Sequence, residues 1–294
     1  MHTIDFSTSP LFPSDYICLD LEALHKKNTP VIKISERSLT DEKGKIRGVY
    51  FLLEVDCLAL MQKQNIELAD IPAILAALNS FLAPAGVDMN DFSVCRIDFC
   101  KNVVMSDELK RNALFDCLNM MPRNPFHLHK TETFKHGLYL HNKSRVMQVY
   151  DKNVERDEKW KGVAFFEWNV VRLEVQVKTG AIKRTKCSRD FSTWVNLGVE
   201  EFQIRRYLDK LPHADFRSLP EAEKHINASS FSSTMKARLT AFIQKVADTD
   251  MDTAMSFQSR DTNKKYIRML AEINVNPVTI NPVWSLDFLE MPFK

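Results

Sequence analysis

Glycine is scarce, with 7 in 294 residues. Neither a Gly-x-x-x-x-Gly-Lys-Ser/Thr loop nor a Gly-x-Gly-x-x-Gly turn occurs, which argues against a backbone cradle for nucleotide phosphates. The six cysteines (Cys18, Cys57, Cys95, Cys100, Cys117 and Cys187) are scattered, mostly among apolar neighbours, without Cys-x-x-Cys pairing. Buried free thiols are therefore expected rather than a zinc site or a disulfide framework. No apolar run approaches the roughly 20 residues that span a bilayer. The N-terminal MHTIDFSTSP also lacks the basic start and apolar run of a signal peptide. A cytoplasmic protein with no membrane partner is expected.

What is present is the composition of an ordinary globular chain, 45% hydrophobic and 27% charged, long enough for one large domain or two modest ones. The net charge of +2 conceals an asymmetry. Between Lys101 and Asp190, 18 Lys and Arg stand against 11 Asp and Glu, a local +7 that leaves the remainder net acidic. Clustered basic charge is the footprint of a phosphate-binding surface, although a solvated basic face gives the same count.

Three strand-like stretches in this region carry the chemistry: VCRIDFC (94–100), KSRVMQVYDKNVE (143–155) and VVRLEVQVK (170–178). Side chains alternate faces in an extended chain. Ile97 and Phe99 then oppose Arg96 and Asp98; Met147 and Val149 oppose Gln148, Tyr150 and Lys152; Leu173, Val175 and Val177 oppose Arg172, Glu174 and Gln176. A shared sheet that buries the apolar sets turns one Tyr, one Lys, two Arg and two carboxylates to one open polar face. A phenol, with a pKa near 10, attacks phosphorus only when helped to lose its proton and when the phosphate charge is neutralised. A carboxylate-held divalent metal does the second and eases the first. Asp98 and Glu174 are the candidate ligands, with Glu155 as a third. Lys152 is placed to assist proton transfer or bind the scissile phosphate. Arg96 and Arg172 are candidate bidentate phosphate donors, and Lys143 and Arg145 are further DNA-binding candidates. Each has a duller reading: cross-strand Arg–carboxylate pairs are common in sheets, and most strand tyrosines are there for packing.

Around these stretches, Tyr16–Leu21, Val31–Ile34 and Val49–Leu58 read as strands. A helix starts at Asp70 and stops at Pro84 and Gly86, and a second, Asp107–Met121, follows a Ser106 cap. Asn124–Lys135 reads as a polar connection. Gly137–Leu140, Val146–Tyr150, Phe165–Trp168 and Val170–Val177 read as strands. Beyond Val199 come helices Glu200–Leu211, Pro220–Asn227, Ser232–Asp248 and Asp261–Ile273, with Thr249–Thr262 as a linker. The pattern predicts an α+β protein, a mainly antiparallel sheet with helices on one face. Residues 1–198 form the expected catalytic domain, and 199–294 a helical region that is a candidate for DNA binding.

CRIDFCKN (95–102), RVMQVYDKNVE (145–155) and VVRLEVQVKTG (170–180), in this order, resemble the motifs of rolling-circle replication initiators of the filamentous-phage gene II / gene X type, which are similar to some plasmid initiators. RDTNKKYIRMLAEINVNP (260–277) resembles their C-terminal basic helix more weakly. The resemblance implies an endonuclease and strand transferase that nicks one strand at an origin. The tyrosine becomes joined to the 5′ phosphate, the freed 3′ hydroxyl primes a host polymerase, and the strand is later rejoined. It places the nucleophile on Tyr150 and the acids on Asp98 and Glu174, with Mg²⁺ or Mn²⁺. The partners it implies are origin DNA, single-stranded or locally melted, a host helicase and polymerase in a bacterial cytoplasm, and a second copy of the chain as a homodimer. Two features compete. His127-Leu-His129 reads as the metal-binding histidine pair of another class of nicking enzymes, and Tyr139, in phase with His141, is the other candidate nucleophile. The rival functions are a non-catalytic DNA-binding regulator of a phage or plasmid, and a phosphodiesterase in which water replaces tyrosine.

Overall fold

A computed structural model describes residues 3–8, 26–63, 66–122, 130–134, 136–159, 168–184, 191–194, 197–209 and 212–293. Its elements, in order, are β1 (Thr3–Thr8), β2 (Ile32–Thr40), β3 (Ile46–Asp56), α1 (Cys57–Met61), α2 (Ile71–Leu82), β4 (Phe92–Val104) and α3 (Glu108–Met120). There follow β5 (Lys130–Phe134), β6 (Gly137–His141), β7 (Arg145–Asp151), α4 (Lys152–Lys159), β8 (Val170–Lys178), α5 (Thr179–Ile182) and α6 (Phe191–Trp194). The C-terminal third holds α7 (Leu197–Leu208), β9 (Phe216–Arg217), α8 (Leu219–Ala228), α9 (Ser233–Asp248), α10 (Met251–Ser256), α11 (Arg260–Glu272) and β10 (Phe288–Leu289).

The fold is α+β. Among the described residues, one sheet has the strand order β2-β3-β1-β4-β8-β7-β6-β5. Every pairing with a described register in it is antiparallel. The chain divides into two compact units that interleave along the sequence. One comprises Met1–Cys100, Lys143–Arg145 and Val175–Gln203; the other comprises Lys101–Asn142, Val146–Glu174 and Ile204–Lys294.

In the first unit, β2 and β3 form a hairpin closed over Asp41, whose Oδ1 accepts from the amides of Lys43 and Lys45 at 2.9 Å. Gly44 sits there at φ 77°, in the left-handed region that favours glycine. β1 lies between β3 and β4, bringing Ile4 opposite Val55 and Ile97 and Phe6 opposite Leu53. All five are buried, as period-two alternation of apolar residues requires. Phe191 packs edge-on against Phe6 with centroids 5.6 Å apart. Helix α2 starts with Pro72 in its first turn and is followed by Gly86 at φ 70°, the stop that the sequence predicts. Leu68–Ala85 is long and apolar enough to cross a membrane by length and composition. Its Ile71, Ile74, Leu78 and Leu82 are buried, while Pro72, Ala73, Ala76, Asn79 and Ser80 are exposed. That one-sided burial is the pattern of a helix packed on a protein core.

The second unit is built on α3 and the strands around β7, with a helical C-terminal part as expected. The C-terminal segment returns to it. Trp284 Nε1 donates to Asp116 Oδ2 at 2.7 Å. The buried Asp215 accepts at Oδ2 from Asn274 Nδ2 (2.8 Å) and at Oδ1 from the Met291 amide (2.8 Å). Three boundaries differ from the sequence reading. The cap of α3 is Asp107, whose side chain accepts from the Lys110 amide, rather than Ser106. The Asn124–Lys135 connection contains strand β5. Thr249–Thr262 is not a bare linker: Asp250 caps α10 by accepting from Thr253, and Met251 and Ala254 are buried. Tyr16–Leu21 and most of Phe165–Trp168 lie outside the described residues.

Candidate active site

β7 carries Gln148 and Tyr150 two residues apart, so both fall on one face. Glu174 on β8 meets both. Tyr150 Oη donates to Glu174 Oε2 at 2.9 Å, and Gln148 Nε2 donates to Glu174 Oε1 at 2.7 Å. The carboxylate is thus oriented by two donors from one neighbouring strand. Burial, and secondarily the Glu174 charge, push the Tyr150 phenol well above its usual value, with Arg172 opposing. At rest this is a protonated phenol whose proton already points at a base.

Lys152 reaches the tyrosine by a route that strand alternation does not predict. β7 ends at Asp151, and Lys152 opens helix α4. Its ammonium lies 5.7 Å from the Tyr150 ring centroid and donates to Glu155 Oε2 at 2.8 Å, a pairing that one helical turn makes available. Burial and then the Arg172 charge lower the Lys152 pKa to about 8, against the pull of Glu155.

The strand-to-helix junction is held by a buried polar network. Arg111 Nε of α3 donates to Asp151 Oδ2 at 3.0 Å, and its Nη1 to the Met105 carbonyl at 2.6 Å and Asn169 Oδ1 at 3.3 Å. Asp151 Oδ1 accepts from the Asn153 amide at 2.9 Å, and Asn153 Oδ1 from the Asn169 amide at 3.0 Å. Asn169 adopts φ 56°, a conformation that asparagine tolerates better than most residues. Arg111 and Asp151 are both nearly excluded from solvent. The junction therefore fixes where Tyr150 and Lys152, on either side of Asp151, project.

The expected open polar face is instead largely buried. Asp98, Glu174, Arg172 and Lys152 are all buried, and Arg172 is fully so. β8 is a central strand buried along almost its whole length, and its Arg172 and Glu174 find hydrogen-bond partners inside the protein. Arg172 Nε donates to Asn102 Oδ1 at 2.8 Å, so its charge acts inside the protein, on Tyr150 and Lys152.

Tyr150, Lys152, Glu155, Arg172 and Glu174 belong to the second unit; Arg96, Asp98, Lys143 and Arg145 belong to the first. There, Arg96 grips Asp98 with Nε at 2.9 Å and with Nη2, and pairs with Asp5 at 3.3 Å across the β1–β4 register. Arg145 is buried and donates to Gln203 Oε1 at 2.7 Å. Lys143 is exposed. Tyr139 lies opposite Gln148 in the β6–β7 register, with its ring 4.8 Å from that of His141. His127-Leu-His129 lies outside the described residues.

No protein-family model matches the chain, and no curated protein matches it significantly. Function therefore rests on the chemistry of these side chains.

A resident divalent ion needs several oxygen ligands in one shell. Among the described residues no group of three His, Cys, Asp or Glu side chains is arranged to hold one. Asp98 is engaged by Arg96, Glu174 by Tyr150 and Gln148, and Glu155 by Lys152. The described side chains as arranged do not fit such an ion.

Asp5 of the first unit gives a pH prediction. Burial raises its pKa to about 6 despite Arg96, and its Oδ1 is buried without a hydrogen-bond partner. A carboxyl whose folded pKa exceeds its unfolded value adds stability below the unfolded pKa, near 3.8, which is lost as pH rises through about 6. The expected loss is on the order of 3 kcal/mol between pH 4 and 7. Asp5→Asn should flatten that part of the urea-unfolding profile; an unchanged slope would assign the pH dependence elsewhere.

Proposed function

We propose that the chain is a DNA strand transferase of the rolling-circle kind, nicking one strand through Tyr150 and later resealing it. The observation that carries this reading is the 2.9 Å hydrogen bond from Tyr150 Oη to Glu174, beside a buried ammonium whose pKa is lowered to about 8. Tyr150 Oη attacks phosphorus, forming an O–P bond as the P–O3′ bond breaks. The phenolic proton passes to Glu174 Oε2. At rest this transfer is uphill; as the phenol oxygen gives its electrons to phosphorus its basicity collapses, and the transfer becomes favourable. Lys152, protonated at neutral pH, gives a proton to the departing 3′ oxygen. The 5′ phosphate stays on Tyr150 as a diester, so a 3′ hydroxyl attacking it reverses each step and reseals the strand. Gln148 holds the far oxygen of Glu174 throughout. The cellular setting of this reading is the cytoplasm of a bacterial host, with single-stranded or locally melted origin DNA as substrate.

The test is to incubate the protein with single-stranded DNA fragments tiling the replicon that encodes it, and to look for a protein–DNA adduct that survives denaturing electrophoresis. A second reading, a DNA-binding regulator without chemistry, is favoured by the raised Tyr150 pKa. It predicts binding and no adduct.

Lys152 makes the mechanism pH-sensitive. Single-turnover nicking should fall as pH rises through about 8, because the leaving oxygen loses its acid. Lys152→Arg should carry that limb out of range, and Lys152→Ala should slow nicking by about 10²- to 10⁴-fold. An alkaline limb that persists unmoved in Lys152→Arg would remove Lys152 from the proton path.

A further inference from the structure

We infer that α9, α10 and α11 form a helix-turn-helix unit whose last helix docks on duplex DNA, separately from the strand on which Tyr150 acts. The helices have 16, 6 and 13 residues. Only the three residues Phe257, Gln258 and Ser259 join α10 to α11, the short connection that such motifs use. The three helices share one core. Phe242 of α9 meets Tyr266 of α11 edge-on at 5.6 Å, and Asn263 Nδ2 of α11 donates to the Met255 carbonyl of α10 at 2.7 Å. Lys245 of α9 lies 4.7 Å over the Phe257 ring at the turn. Ser259 Oγ caps α11 by accepting from the Thr262 amide at 3.2 Å.

The outward face of α11 is charged and net positive. Asn263, Tyr266 and Leu270 are buried, whereas Arg260, Asp261, Lys264, Lys265, Arg268 and Glu272 are exposed. At 100° per residue these six charged positions fall within one arc opposite the buried three. Four are cationic and two anionic, and Arg268 has Glu272 at 3.8 Å. A helix held from behind by two others, with its basic side facing solvent, matches the polyanionic major groove of a duplex. In that geometry the N-terminal half of the second helix approaches base edges, and the remaining cations contact phosphates. Arg260 and Lys264 are then the residues nearest the bases. Single-stranded DNA offers no groove of that shape, so the occupant is double-stranded DNA.

The experiment measures binding of the full chain to a labelled random-sequence duplex, and to one of its strands alone, across a salt series. The variant Lys264→Ala/Lys265→Ala/Arg268→Ala should lose duplex affinity on the order of 10²-fold near 0.1 M salt. Its slope of log affinity against log salt should flatten by about 2 to 3. Affinity for the single strand should stay within about twofold. A control variant, Lys33→Ala/Lys43→Ala/Lys45→Ala, removes equal charge from exposed positions of the first unit and should bind duplex as the wild type does. If the triple variant melts lower, Lys264→Gln alone carries the test, with a loss of about fivefold. Wild-type duplex binding in the α11 variants, or an equal loss in the control, would overturn the inference. Because Tyr150→Phe should leave duplex binding intact, failure here and failure of the nicking reaction are separable.

Discussion

Tyr150→Phe is expected to remove nicking and the covalent adduct, by on the order of 10³-fold or more, while DNA binding stays near that of the wild type. The substitution deletes one oxygen and nothing else. Glu174 keeps its hydrogen bond from Gln148, so the folding cost is that of one charge-assisted hydrogen bond, about 1–3 kcal/mol. Loss of activity with retained binding would therefore report chemistry rather than folding. Glu174→Gln should act similarly but less severely, by about 10²- to 10⁴-fold, because the amide keeps the shape and cannot take the proton. Full nicking by Tyr150→Phe would move the nucleophile elsewhere, with Tyr139 the next candidate on that face.

The largest effect on stability is expected from Arg111→Ala. Its partner Asp151 would be left as a buried carboxylate holding only the short-range Asn153 amide among the bonds described above. Removing one side of a buried ion pair typically costs about 3–5 kcal/mol, a fifth or more of the stability of an ordinary domain. The urea midpoint should fall on the order of 1 M. The double variant Arg111→Met/Asp151→Leu should recover much of that loss, since paired apolar replacements carry no stranded charge. It should not recover nicking, because the junction that aims Tyr150 and Lys152 would no longer be pinned. A drop below about 1 kcal/mol for Arg111→Ala would show that the pair contributes little.

The contrast between Glu174 and Arg111 marks what was legible in the chain beforehand. Period-two alternation placed Gln148, Tyr150 and Glu174 on one face, because a strand is a local object whose facing is fixed by its own residues. Pro72 and Gly86 bracketed α2 for the same reason. Lys152 reached the tyrosine for a different reason from the one alternation offers. α4 is polar along most of its length and shows no apolar stripe, and the readable signal was Asp151, a residue type that starts helices by accepting from the next turn. α10 is hidden likewise: six residues are too few for a period to stand out, leaving only the Asp250 cap. Arg111 with Asp151 and Asn102 with Arg172 meet across 40 and 70 residues, and nothing local announces such partners. The burial of Arg172, Glu174 and Asp98 was hidden too, since a charged residue in a strand reads as solvent-facing until its partners are known.

The most direct test is to digest the DNA-linked protein and sequence the peptide that carries the nucleotide by mass spectrometry. The account predicts a phosphotyrosyl mark on Tyr150, within the peptide that joins β7 to α4, forming about 10²-fold or more slowly when Glu174 is Gln. A mark on Tyr139 or on any other residue, or binding without any covalent product on the cognate strand, would contradict it.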